Sequence, residues 1–225
     1  MPEAADIVFL FDVDNTLLDN DRVQADLGKH LLDSYGTEVR DRFWVIFEQL
    51  RAELGYADYL GTLERYRLEA MHHPKLLRIA NWLIDYNFRE RLYPNAIEVV
   101  RAAQRVGVTA ILSDGDAVFQ PRKIEKSGLW PVFGENVLIY VHKELELADV
   151  EAHFPARRYV MIDDKLRILD AIKRIWGDRV TTVFPRQGHY ATDPKQLAAY
   201  PPADFTVEHV GDLLKYDLAA LANRR

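Results

Sequence analysis

Six short apolar runs punctuate the chain, at residues 7–11, 109–112, 137–141, 159–162, 180–184 and 205–207. Each is nearly continuous in apolar character rather than alternating, the pattern of strands buried on both faces of a parallel sheet. Between most of them lie segments with helical spacing, at residues 96–106, 121–127, 166–176 and 208–221. Strand and helix in alternation predict an α/β fold: a doubly wound, Rossmann-like parallel sheet.

One connection breaks the rhythm. Almost a hundred residues separate the first two apolar runs, and they carry helical patterns instead, at about 21–35, 37–54, 59–71 and 74–88. Gly36, Gly55, Gly61 and Pro74 punctuate or flank them. Phe43, Phe47 and Leu50 have the spacing of a helix face packed on another helix. Residues 20–91 are therefore expected to form an inserted α-helical domain, with residues 1–19 and 92–225 making the α/β core. The insert's aromatics, among them Phe43, Trp44, Phe47, Tyr56, Tyr59, Tyr66, Trp82 and Tyr86, are mainly its own core, with some expected to face a site.

Ligands of open α/β sheets bind beyond the carboxyl ends of the strands. Asp12 and Asp14 follow the first run, Ser113, Asp114 and Asp116 the second, His142 and Lys143 the third, and Asp163 and Asp164 the fourth. Aspartate is also common in turns and caps, and Asp164-Lys165 has the place of a cap for the helix that follows. Yet several carboxylates gathered on one edge raise each other's pKa unless a cation lies among them. A hard cation such as Mg²⁺ takes one or two carboxylates together with waters and a substrate phosphate, which suits Asp12 and Asp164. Lys165 is placed to pair with one of these acids. The polar stretch 185–190 follows the fifth run, reaching the same edge, and reads either as a substrate or insert contact or as an exposed loop. Arg122 and Lys123, on the helix that follows the second run, read as solvated, with support of the site by Lys123 as the alternative. His142 reads equally as a site neighbour or as packing, and His72-His73, side by side before Pro74, as the surface end of a helix.

Composition narrows the function classes. The chain has 225 residues, 48% of them hydrophobic, and a formal net charge of −6. Acids and bases are mixed and no basic block occurs, which argues against a nucleic-acid polymer or a membrane surface as partner. Cysteine is absent, excluding disulfides, zinc–thiolate sites and a cysteine nucleophile. No run approaches the roughly 20 apolar residues of a membrane span, and the acidic start lacks a basic signal region, so a cytoplasmic location is expected.

Asp12-Val13-Asp14-Asn15-Thr16, Ser113 with Gln120 and Lys123 behind it, Lys143, and Asp163-Asp164 together resemble the four motifs of the haloacid dehalogenase (HAD) superfamily. The helical insert after the first motif is similar to that superfamily's C1-type cap. Glu144 stands where members often carry proline. The resemblance implies a hydrolase of the phosphatase branch acting on a small phosphorylated metabolite. It makes Asp12 the nucleophile, forming an aspartyl-phosphate, and Asp14 the general acid and base. It makes Ser113 and Lys143 the phosphoryl contacts. Mg²⁺ would be held by Asp12, the Asp14 carbonyl and Asp164, with Asp163 nearby. An acid at Asp14 favours phosphate esters over carbon–halogen bonds, because a halide leaves without a proton. A phosphomutase on the same residues and a catalytically idle binding or regulatory protein are the alternatives.

Overall fold

The computed structural model describes residues 4–71 and 76–222; His72 and His73 lie outside the described residues. Six strands, β1 Ala5–Phe11, β2 Val108–Asp114, β3 Val137–Tyr140, β4 Ala156–Ile162, β5 Val180–Pro185 and β6 Phe205–Val207, form one sheet in the order β3-β2-β1-β4-β5-β6. Every neighbouring pair is parallel. All six match the apolar runs, and the reason lies in the two-residue period of a strand. Phe9 and Phe11 of β1 join one hydrophobic cluster, while Val8 and Leu10 join a second on the opposite face. Both faces are covered, so neither set of positions is polar.

Four helices fill the long connection: α1 Asn20–Tyr35, α2 Thr37–Leu54, α3 Tyr59–Glu69 and α4 Leu76–Ile84. Asp19 begins α1 by accepting the Arg22 N–H, and Asp58 begins α3 by accepting that of Gly61. Val23, Leu27 and Leu31 of α1 share a face at helical spacing and pack with Phe43, Ile46 and Phe47 of α2. This apolar set runs on into the sheet cluster of Phe9 and Phe11, with Tyr59 against Phe119 and Phe88 against Phe119 bridging the two.

The remaining helices are α5 Ala96–Gln104, α6 Phe119–Ser127, α7 Trp130–Phe133, α8 Leu147–His153, α9 Leu166–Trp176, α10 Gly188–Thr192, α11 Pro194–Ala199 and α12 Leu218–Ala222. One expected helix is not continuous. Residues 208–221 form a 3₁₀ segment, Val210–Lys215, and then α12. Gly211 lies so close to the Pro94 carbonyl that a Cβ would stand 2.7 Å from it, and Asp217 starts a new helix by accepting the N–H groups of Ala219 and Ala220. Among the described residues no helix is long and apolar enough to cross a membrane.

Candidate active site

The chain winds outward from β1 through β2 to β3, then returns to the other side of β1 with β4. A crevice opens where the winding reverses, and ligands of such sheets bind there. Asp12 leaves β1 and Asp163-Asp164 leave β4 on adjacent strands, with Phe11 paired to Ile162. Backbone pairing continues past the strands: Asp12 N donates to the Ile162 carbonyl at 3.0 Å, and Asp163 N to that of Val183 at 3.1 Å. The three acids are thereby locked side by side.

Asp12, Asp163 and Asp164 are buried, and one carboxylate oxygen of each lies within 4.8 Å of the others, a spacing that could hold a metal ion. Lys143 Nζ, fully buried, sits 2.6 Å from Asp12 Oδ1 and 2.6 Å from Asp163 Oδ2, and donates to the Leu112 carbonyl at 3.2 Å. Asp12 Oδ2 and both Asp164 oxygens are buried with no hydrogen-bond partner among the described residues.

The electrostatics follow from this crowding. Burial, opposed by the Lys143 charge, pushes the Asp163 carboxyl up to about 6. Burial, opposed by the Lys165 charge and reinforced by Asp163 and Asp12, raises the Asp164 carboxyl well above its ordinary value of 3.8. For Lys143 burial acts downward, but Asp12, Asp163 and Asp114 outweigh it and hold the ammonium above its ordinary value.

Asp14 stands apart from the acidic cluster. Its two oxygens accept from Lys123 Nζ at 2.7 and 2.8 Å, and Lys123, also buried, donates to Asn20 Oδ1 at 3.1 Å. Ser113, buried at the end of β2, accepts from Gln120 Nε2 at 2.9 Å. Asp114 accepts the Lys143 backbone N–H at 2.8 Å, fixing the turn that aims the lysine inward. Glu144 forms a single 3₁₀ turn with Lys143 and Leu145 and ion-pairs with Arg167, so the turn holds without proline.

Two expectations fail. Asp164 does not cap α9; the Lys165 N–H is accepted by Asp163 Oδ1 at 2.8 Å instead. Nor does Lys165 form a close ion pair with a carboxylate among the described residues; its ammonium lies 5.2 Å above the Tyr190 ring.

The stretch 185–190 is a site element rather than a free loop. Gln187 is buried and donates to the carbonyls of Asn15 and Thr16 at 3.1 and 2.9 Å. His189 donates its backbone N–H to Asp21 at 2.7 Å and places a ring nitrogen 2.6 Å from the same carboxylate. Burial raises the Asp21 carboxyl, but the His189 and Asn15 hydrogen bonds outweigh it and leave the pKa lowered. Asn15 adopts φ 60°, and Gly188 presses on it so closely that a Cβ would stand 2.6 Å from Asn15 Cβ. Asn20 thus supports the site without having been singled out from sequence, whereas Asn15 and Asp114 stood among the strand-end residues and Gln187 in the stretch 185–190. Only Asn15 carries a local signal, because asparagine tolerates positive φ.

A cavity of about 430 Å³ lies over this edge, walled by Arg51, Gly55 and Tyr56 of the insert and by Lys165, Arg167 and Tyr190 of the sheet side. At its rim a Cβ on Gly55 would collide with the His142 ring, so the insert and the turn after β3 are in direct contact.

Comparison with known proteins places this geometry. The model of the haloacid dehalogenase-like hydrolase family matches residues 8–175. A haloacid dehalogenase-like hydrolase from Burkholderia xenovorans LB400 is 60% identical, with TM-score 0.91 over 94% of this chain and 99% of that one. L-2-haloacid dehalogenase from Xanthobacter autotrophicus shares the fold at 20% identity, with TM-score 0.62 over 92% of this chain and 96% of that one. So does the HAD hydrolase YfnB of Bacillus subtilis, bound to magnesium, at 16% identity and TM-score 0.61 over 93% and 97%. A search of curated proteins finds no match. With the family model spanning most of its length and a close structural relative, this chain belongs to the haloacid dehalogenase-like hydrolases.

Proposed function

We propose that this protein is a Mg²⁺-dependent phosphatase that hydrolyses a small phosphorylated metabolite through a phosphoaspartate on Asp12. The carrying observation is the buried group of Asp12, Asp163 and Asp164, in which four oxygens lack a hydrogen-bond partner among the described residues, only Asp163 Oδ2 of them touching an ammonium, that of Lys143. Buried carboxylate oxygens without partners are costly, and a bound cation offsets that cost. The charge balance agrees. When ionised, Asp12, Asp163 and Asp164 carry three negative charges against the one ammonium in close contact with them, that of Lys143, leaving two for a divalent ion. An all-oxygen donor set suits Mg²⁺. Asp12, Asp163 and Asp164 would hold it, with the Asp14 carbonyl as the expected main-chain ligand. Bound there, the ion screens the phosphate charge from the Asp12 carboxylate and polarises a phosphoryl oxygen.

The fold alone serves a dehalogenase as well as other hydrolases, so the choice of reaction rests on residues. Asp14 lines the cavity two positions beyond Asp12. In the first step an Asp12 oxygen attacks phosphorus in line, the bond to the leaving alkoxide breaks, and Asp14 delivers the proton that the alkoxide needs. In the second step Asp14 takes a proton from water, which attacks the phosphoaspartate, releases phosphate and restores Asp12. Halide departure would need no such acid. Lys143 fixes the Asp12 carboxylate, and Ser113 stands beside the phosphoryl position. Residues 20–91 serve as a C1-type cap over a core of 1–19 and 92–225, and their closure would exclude water.

Phosphate release from p-nitrophenyl phosphate and acetyl phosphate, with Mg²⁺ and with chelator, beside halide release from 2-chloropropionate, tests the reading. Mg²⁺-dependent phosphate release without halide release is expected. Halide release that survives chelation, with no phosphate released, would overturn it.

A further inference from the structure

Three lysines reach the active-site edge, and their hydrogen-bonding capacity is unevenly used. An ammonium carries three donors. Lys143 donates to Asp12 Oδ1 and the Leu112 carbonyl and forms a close ion pair with Asp163 Oδ2. Lys123 has three acceptors: both Asp14 oxygens and Asn20 Oδ1. Lys165 differs. Its ammonium lines the cavity and lies over the Tyr190 ring, with no hydrogen-bond or close ion-pair partner among the described residues.

Its charge is nonetheless directed at the reacting centre. Lys165 directly follows Asp164, and its side chain lines the same cavity as Asp14. Its position is fixed from both sides. On one side the Lys165 backbone N–H is held by Asp163 Oδ1. On the other, Tyr190 forms the shelf, its ring 4.0 Å from that of His189, which is tied to Asp21 of α1. A cation–π shelf orients the head without using its N–H donors.

We infer that Lys165 is the lysine that donates hydrogen bonds to the phosphoryl oxygens of the bound substrate. Lys143 acts from behind Asp12 through its charge and by fixing the nucleophile. The inference rests on the phosphatase reading and adds to it a contact outside the four motifs that carried the resemblance. A site with one ammonium free to donate needs no rearrangement of the Asp12–Lys143–Asp163 group to receive the anion.

Inorganic phosphate, the reaction product, is the probe. Its affinity is measured by titration calorimetry with Mg²⁺ present, for the unsubstituted protein, Lys165→Met and Lys165→Arg, with Mg²⁺ affinity and thermal unfolding recorded alongside. Losing a charge-assisted hydrogen bond should weaken phosphate binding about ten-fold or more in Lys165→Met. Lys165→Arg should stay within about three-fold, since it keeps charge and donors, and Mg²⁺ affinity should not fall in either variant, since neither removes a metal ligand. In the unsubstituted protein, the ¹⁵N resonance of the Lys165 ammonium should move on phosphate addition while that of Lys143 stays, which keeps the test independent of any variant's folding. Native phosphate affinity in Lys165→Met, or a Lys165 resonance that does not respond, would overturn this assignment and leave the phosphatase reading standing. An unsubstituted protein that neither binds phosphate nor releases it from esters would overturn both.

Discussion

Lys123 Nζ holds both oxygens of Asp14 within 2.8 Å across a separation of 109 residues. The second aspartate of the first motif is thus positioned by α6, which follows β2, with Asn20 at the start of α1 holding the same ammonium. The proposed general acid is therefore tied to both the core and the insert.

Lys123→Met should free Asp14 and slow cleavage of phosphate esters with poor leaving groups about 10²-fold, within the range of general acid catalysis. Phosphorylation of the enzyme by acetyl phosphate, whose leaving group needs little proton help, should change less than about ten-fold. A leaving-group series checks this. Equal losses across the series would mean that Lys123 acts on the fold rather than on proton delivery.

Lys143→Met should destabilise the metal-free protein by about 3–5 kcal/mol, because it leaves the buried carboxylates of Asp12 and Asp163 facing each other without their cation. Mg²⁺ should recover part of that loss. Urea unfolding midpoints with and without Mg²⁺ measure both effects, and an unchanged midpoint in the metal-free variant would contradict the geometry.

The pH dependence has a definite sign. Burial lifts Asp163 to about 6 and raises Asp164 well above its ordinary value of 3.8. The native state therefore holds protons that the unfolded chain has released. These two groups make the metal-free protein lose stability as pH rises from about 4 through the raised native values. Metal binding requires the deprotonated forms, so stabilisation by Mg²⁺ should be small near pH 5 and grow towards about pH 8. Thermal unfolding at fixed Mg²⁺ across that range tests it; a Mg²⁺ effect independent of pH would not fit.

Much of this was legible in the chain. The strands declared themselves because a sheet covered on both faces leaves no polar positions in its interior, as in β1 and β4. The helical character of the connection between β1 and β2 was visible because Phe43, Phe47 and Leu50 repeat at helical and not strand spacing. The end of the chain was misread where Gly211 and Asp217 break a periodic pattern, since the close approach of the Pro94 carbonyl to Gly211 is a tertiary contact with no local trace. The acids of the site were legible because strand ends in a parallel sheet share an edge. Their partners were less so. The bonds of Lys123 to Asp14 and of Gln187 to the Asn15 and Thr16 carbonyls join residues more than a hundred positions apart, and the amides carry no charge pattern. Lys165 was expected to pair with an acid, whereas its neighbouring acids face inward, towards Asp12 and Lys143.

The most direct measurement of the central claim is the mass of the peptide containing Asp12 after the Asp14→Asn protein is mixed with acetyl phosphate and Mg²⁺ and quenched in acid. Without the base that activates water, the phosphorylated enzyme should accumulate, and that peptide should gain one phosphoryl group, lost in the Asp12→Asn, Asp14→Asn double variant. Phosphate turnover by the unsubstituted protein with no phosphoryl group ever found on Asp12 would contradict the account.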